Sequence, residues 1–147
     1  MNPTMTLAQI KAYGPCHLHD APLDTVVSLG DIAARYGAAD AWWCVRALAW
    51  SDIAIRRKVI SVLLLAIKRI APHTKDQRVH DCIAALGKWC AGDDSVDLQA
   101  AAAEAAAARA ARAAWAAWAA ARAETAAERE QQKADLIATF PPMHPYT

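Results

Sequence analysis

The sequence predicts an all-α fold, a compact bundle of five to seven helices with one long alanine-rich helix toward the C-terminus. Three observations carry this expectation. Alanine, the strongest helix former, supplies 38 of the 147 residues. Apolar residues recur at three- and four-residue spacing through much of residues 26–70. No stretch alternates apolar and polar residues with the period of a strand. A mass of 15.8 kDa fits one domain over 1–147. Within it we expect N-terminal helices and a loop over 1–39, core helices over 40–93, the long helix over 94–140 and a tail over 141–147.

Residues 4–13 read as a short helix opened by Thr6, with Gln9 three positions later as in a capping box. Gly14-Pro15 ends it, and the prolines at 15 and 22 place Cys16-His17-Leu18-His19-Asp20 in a loop. Val26 to Tyr36 has helical spacing, and Gly30 and Gly37 suggest a kink or two short pieces. From Asp40, the residues Trp42, Trp43, Val45, Leu48 and Ala49 define one wide apolar helix face. Ser51 is the expected N-cap of a central helix over 52–70, whose core positions are Ile53, Ile60, Leu63, Leu64 and Ile67; Pro72 stops it. Thr74-Lys75-Asp76-Gln77 opens another helix, which runs to Trp89 or Cys90 and is capped by Gly92. Asp94 or Ser95 then caps the long helix, which Pro141-Pro142 terminates.

Between Ala100 and Ala127, 20 of 28 residues are alanine, so helix is expected there almost regardless of context. At about 100° per residue, Glu104, Arg112, Trp115, Trp118 and Arg122 fall on one side, and Arg129, Leu136 and Phe140 continue the stripe. Two packings fit. Either the tryptophans enter the core, or the smooth alanine side packs inward and Arg112, Trp115, Trp118 and Arg122 face a partner, as residue types enriched in binding hot spots. Self-association of this helix into a homodimer is a third arrangement.

The formal charge of +1 excludes an obvious polyanion binder and an acidic solvating tail. Charge is nevertheless uneven: residues 56–88 hold eight Lys/Arg against two Asp. Arg56, Arg57 and Lys58 form a second candidate contact surface, and a nucleic-acid contact through 56–88 is the alternative to a protein partner. No basic flank and apolar run mark a secretory signal, and the apolar run Val59–Ile67 falls short of the about 20 residues a membrane-spanning helix needs. A cytoplasmic protein with free thiols and no membrane contact is expected. The Cys16–Asp20 loop offers four possible metal ligands, too tightly spaced to close a tetrahedral site alone. No phosphate-binding loop, nucleophile elbow or metalloprotease motif occurs, so no catalytic residue, metal or cofactor is expected.

Residues 40–140 resemble a loose family of small alanine-rich proteins from phages and mobile elements, often called immunity proteins. The resemblance lies in "AWWCVRAL" at Ala41–Leu48, in "RRKVISVLLLAIKRIAP", in "DQRVHDCIAALGKWCAGDDSV" with its Trp89 and Gly92, and in "AAARAARAAWAAWAAARAE" leading to Leu136-Ile137 and Phe140. It implies a non-enzymatic binder with no family catalytic residues. Two roles follow: stoichiometric inhibition of a bacterial defence complex, anti-CRISPR-like, or neutralisation of a toxin as an immunity protein.

Overall fold

A computed structural model describes residues 2–15, 21–49, 51–73, 75–97, 99 and 126–144. Among these the chain is mostly helical, with six α-helices and one two-stranded antiparallel sheet. The elements are β1 (Thr4–Thr6), α1 (Leu7–Lys11), β2 (Val26–Ser28), α2 (Leu29–Tyr36), α3 (Ala38–Cys44), α4 (Ile53–Ile70), α5 (Gln77–Cys90) and α6 (Ala126–Thr139). Short 3-10 turns follow α3 at Val45–Ala47 and α4 at Ala71–His73. The chain divides into two compact units, one of residues 1–55 with 127–147 and one of residues 56–126.

The sheet is the departure from the all-α expectation, and it belongs to the first unit. Thr4, Met5 and Thr6 pair with Ser28, Val27 and Val26, residues of good strand propensity in runs too short to show a period of two. Each strand ends on the N-cap of the helix that follows. The Thr6 hydroxyl accepts from Gln9 N–H, and Gln9 Oε1 accepts from Thr6 N–H. Ser28 and Asp31 repeat this reciprocal pattern at the start of α2.

The two strand–helix pieces are local copies of each other. Centring the sheet on Met5 and Val27 relates residue i to residue i+22, which superposes Met5-Thr6-Leu7-Ala8-Gln9-Ile10 on Val27-Ser28-Leu29-Gly30-Asp31-Ile32. Cap matches cap, and Leu7, Ile10, Leu29 and Ile32 are all buried. The copies diverge at Ala8 and Gly30. Ala8 donates its N–H to the Leu23 carbonyl. A Cβ on Gly30 would lie 1.7 Å from the carbonyl oxygen of Phe140, so only glycine admits the chain leaving α6. Gly30 is therefore a packing residue inside one continuous helix and does not divide it.

Gly37, at φ +98°, ends α2 and leads directly into α3. The wide helix expected from Asp40 to Ala49 is instead α3 plus a 3-10 turn. Ala38, Ala41, Cys44 and Leu48 are its buried side, while Trp42 and Trp43 stay half-buried. Small residues on that side let α3 sit close to α2. The Trp42 indole N–H donates to Gln132 Oε1 of α6 at 3.1 Å, and Gln132 is oriented by donating to Glu128. Leu136 and Phe140 are fully buried, while Arg129 of the same expected stripe is exposed.

Asp52 and not Ser51 caps α4, accepting from Ala54 and Ile55 N–H. The buried stripe of α4 is Val59, Val62 and Leu64; Ile53 and Leu63, expected in the core, are exposed. Asp76 caps α5 through Arg78 N–H, and Thr74 lies outside the described residues. Gly92, at φ +106°, closes α5 in a Schellman motif: Gly92 N–H bonds to the Trp89 carbonyl and Asp93 N–H to the Lys88 carbonyl. Asp94 and Ser95 form a turn in which Ser95 donates to Asp93. The alanine tract over 100–125 lies outside the described residues.

Two glycines make a test of this packing. Gly30→Ala should destabilise the protein by about 1–3 kcal/mol, because the Phe140 backbone must move. Gly87→Ala, whose Cβ would meet Leu64 at an ordinary 3.8 Å inside α5, should stabilise by about 0.5–1 kcal/mol. Denaturant midpoints of the two variants are expected to move in opposite directions.

Candidate functional site

Among the described residues, three places bring chemistry-bearing side chains together. The first is buried. Asp31 has no exposed surface, yet its carboxylate is well supplied with donors. Oδ2 accepts from Ser28 N–H at 2.8 Å, and Oδ1 accepts from Met143 N–H at 2.9 Å and His144 N–H at 3.0 Å. The Ser28 hydroxyl lies 3.0 Å from Oδ2 and 3.1 Å from the Pro141 carbonyl, so either can accept its proton. Asn2 donates to the same Pro141 carbonyl. Three backbone N–H groups aimed at one carboxylate make its burial tolerable where an unpaired charge would be costly.

This cluster gathers a serine, an aspartate and a histidine without the geometry of a nucleophilic triad. The His144 ring Nε2 is 2.9 Å from the Val26 carbonyl and does not face Ser28, which is itself fully buried. Nucleophilic chemistry needs a base in contact with an accessible hydroxyl. The cluster instead fastens residues 140–144 to the start of α2.

The second place is at the surface of the first unit. Tyr13, 50% exposed, meets Trp43 of α3 edge-on, with ring centroids 6.5 Å apart and planes at 84°. The Arg46 guanidinium lies over the same Trp43 ring, 5.3 Å from its centroid. Lys11, exposed in the last turn of α1, stands two residues before Tyr13. The sequence placed Trp43 on an apolar helix face and singled out neither Tyr13 nor Arg46 as a contact residue. The available signal was the Trp43–Arg46 spacing of three, which puts the two side chains on one helical face.

The third place is in the second unit and includes a predicted surface. Arg56, Arg57 and Lys58 lie in the first half of α4, and all three are half-buried. Arg57 is engaged within the protein: its guanidinium lies 5.2 Å from the Trp89 ring centroid and pairs with the Asp94 carboxylate. The other predicted contact residues, Arg112, Trp115, Trp118 and Arg122, lie outside the described residues, as does the Cys16-His17-Leu18-His19-Asp20 loop. Among the described residues no group of three or more His, Cys, Asp or Glu is placed to hold a metal ion.

Cys44, Cys82 and Cys90 are free thiols. Burial, with a smaller contribution from Asp40, pushes the Cys44 thiol up from 9.0 to about 11. Burial also raises Cys90, outweighing the opposite pull of Arg57 and Lys68. Neither thiol has the depressed pKa of an activated nucleophile. Two carboxylates move the other way: half-buried Asp76 is lowered by its hydrogen bonds with Arg78, and exposed Asp93 by those from Ser95. No described helix is long and apolar enough to cross a membrane. The chain matches no protein-family model, and comparison with characterised proteins and with solved structures gives no match either.

Two outcomes follow from these groups. Asp31→Asn keeps one acceptor oxygen and turns an amide N–H toward a donor, so it should cost about 3 kcal/mol, read from the denaturant midpoint. Cys44 holds its proton more tightly folded than unfolded. Its contribution is therefore complete below pH 9 and is lost as pH rises toward 11. Wild type should lose more stability across that window than Cys44→Ala, measured by unfolding below pH 9 and near pH 11.

Proposed function

We propose that the protein is a non-enzymatic inhibitor of a bacterial defence complex, phage-type and anti-CRISPR-like, acting by stoichiometric protein–protein binding. The observation that carries this reading is the Tyr13–Trp43–Arg46 cluster. Tyr, Trp and Arg dominate binding hot spots because they offer large apolar area and directed hydrogen bonds at small entropic cost. Here Tyr13 and Arg46 both contact Trp43, and both are exposed. The resemblance of residues 40–140 to phage and mobile-element immunity proteins supports the same class of role.

The mechanism is steric: a rigid helical surface occupies a face that the target needs for assembly, recruitment or nucleic-acid binding. The finer structural expectations belong to this proposal. They are a cytoplasmic protein of five to seven helices, with the alanine-rich helix presenting Arg112, Trp115, Trp118 and Arg122 as a second contact stripe. Use of the basic 56–88 stretch to bind nucleic acid is disfavoured by Arg57, which already has Asp94 and Trp89 as partners.

A tagged pull-down from bacterial lysate, with and without nuclease, tests the reading. The expected result is a stoichiometric, nuclease-resistant defence-complex subunit, with the catch reduced at least about thirtyfold in affinity by the double variant Tyr13→Ala, Trp43→Ala. A captured toxin would make the protein an immunity protein. Recovery only without nuclease would make it a nucleic-acid accessory, and recovery of itself alone a self-assembling helical module; each overturns the proposal.

A further inference from the structure

Among the described residues two arginines lie over a tryptophan ring at nearly the same distance, and they differ in their anionic partner. Over Trp89, at 5.2 Å, the Arg57 guanidinium has a carboxylate, Asp94, on its N–H fork. Over Trp43, at 5.3 Å, the Arg46 guanidinium has no carboxylate from any described residue. We infer that the Arg46–Trp43–Tyr13 platform is a carboxylate-binding site, and that it takes an Asp or Glu side chain from an acidic segment of a partner protein. This deepens the inhibitor reading above and rests on it for the identity of the partner as a protein.

The chemistry favours this occupant. A guanidinium held over an aromatic face has lost much of its rotamer freedom. Its edge still carries the paired N–H donors that match a carboxylate in bidentate geometry. Tyr13 offers apolar area and a hydroxyl beside Trp43. Arg57 and Asp94 show that the same arrangement accepts a carboxylate when one is within reach. A nucleic acid fits less well. Its affinity comes from many phosphate contacts, whereas the platform itself supplies the single cation Arg46, which already covers one face of the Trp43 ring on which a base would stack.

Side-chain NMR on the full chain tests the site directly and also reports whether each variant is folded. The probes are a short peptide alternating Glu and Leu, the same peptide with Gln in place of Glu, and an oligothymidylate of similar length. The Glu peptide is expected to shift the Arg46 Nε–H and Trp43 indole resonances saturably, with the Gln peptide without effect. Arg46→Gln should weaken the response about tenfold or more, and Asp31-segment resonances should not move. Equal shifts with both peptides, an undiminished response in Arg46→Gln, no response at millimolar peptide, or stronger binding of the oligothymidylate would each overturn the inference. A Glu-peptide response with no nuclease-resistant catch in the pull-down would leave the site standing and remove the inhibitor role. A catch indifferent to Arg46→Gln would remove the site alone.

Discussion

The first unit depends on one buried carboxylate. Asp31 accepts three backbone N–H groups, one from the strand end before α2 and two from the segment after α6, and shares the Ser28 hydroxyl with Pro141. A carboxylate in such a place stabilises only while its donors are present, since a buried charge without them costs several kcal/mol. The features around it follow from that demand. Position 30 must be glycine so that the Phe140 carbonyl can approach, Phe140 itself is fully buried, and Asn2 closes on Pro141. Three distant stretches of chain are thereby held at one point by polar contacts and not by apolar area alone.

The helices were legible in the sequence wherever their signals are local. Thr6 with Gln9, Gly92 after Cys90 and the stop before Pro141 all act over a few residues, and the structure uses each of them. The strands were not legible, because three residues cannot display a period of two and because each strand exists only through a partner 20 or more residues away. Ser28 and Asp31 carry the same reciprocal cap as Thr6 and Gln9, but the reason for Asp31 lies in Met143 and His144. Gly30 misled for the same reason: from sequence it is a helix breaker, and only the Phe140 backbone explains it. In α4, aliphatic residues occur on every side, so periodicity could not choose Val59 and Val62 over Ile53 and Leu63 as the buried positions.

The candidate site was less legible than the fold. Tryptophan in a small helical protein reads first as core, and Trp43 is indeed half-buried. What makes it a surface feature is Tyr13, from the turn after α1, and Arg46, from the 3-10 turn after α3. The predicted Arg57 shows the converse. Read as a surface charge, it is satisfied internally by Asp94, a residue whose role in sequence was to cap a helix. Charge counts along a chain thus say little about which cations are available, and pairing within the fold decides it.

The discontinuity of the first unit orders its synthesis. Asp31 leaves the ribosome 112 and 113 residues ahead of the two backbone groups that complete its coordination. At translation speeds of about 5–20 residues per second, that is a delay of roughly 6 to 22 seconds. Throughout it the carboxylate must remain hydrated, and the strand–helix pair built on Ser28 stays unfinished. Residues 56–126 form a contiguous unit that is fully emerged before this happens. The Asp31 coordination of the first unit is therefore incomplete until residues 140–144 have been made, however early its strands and first helices emerge.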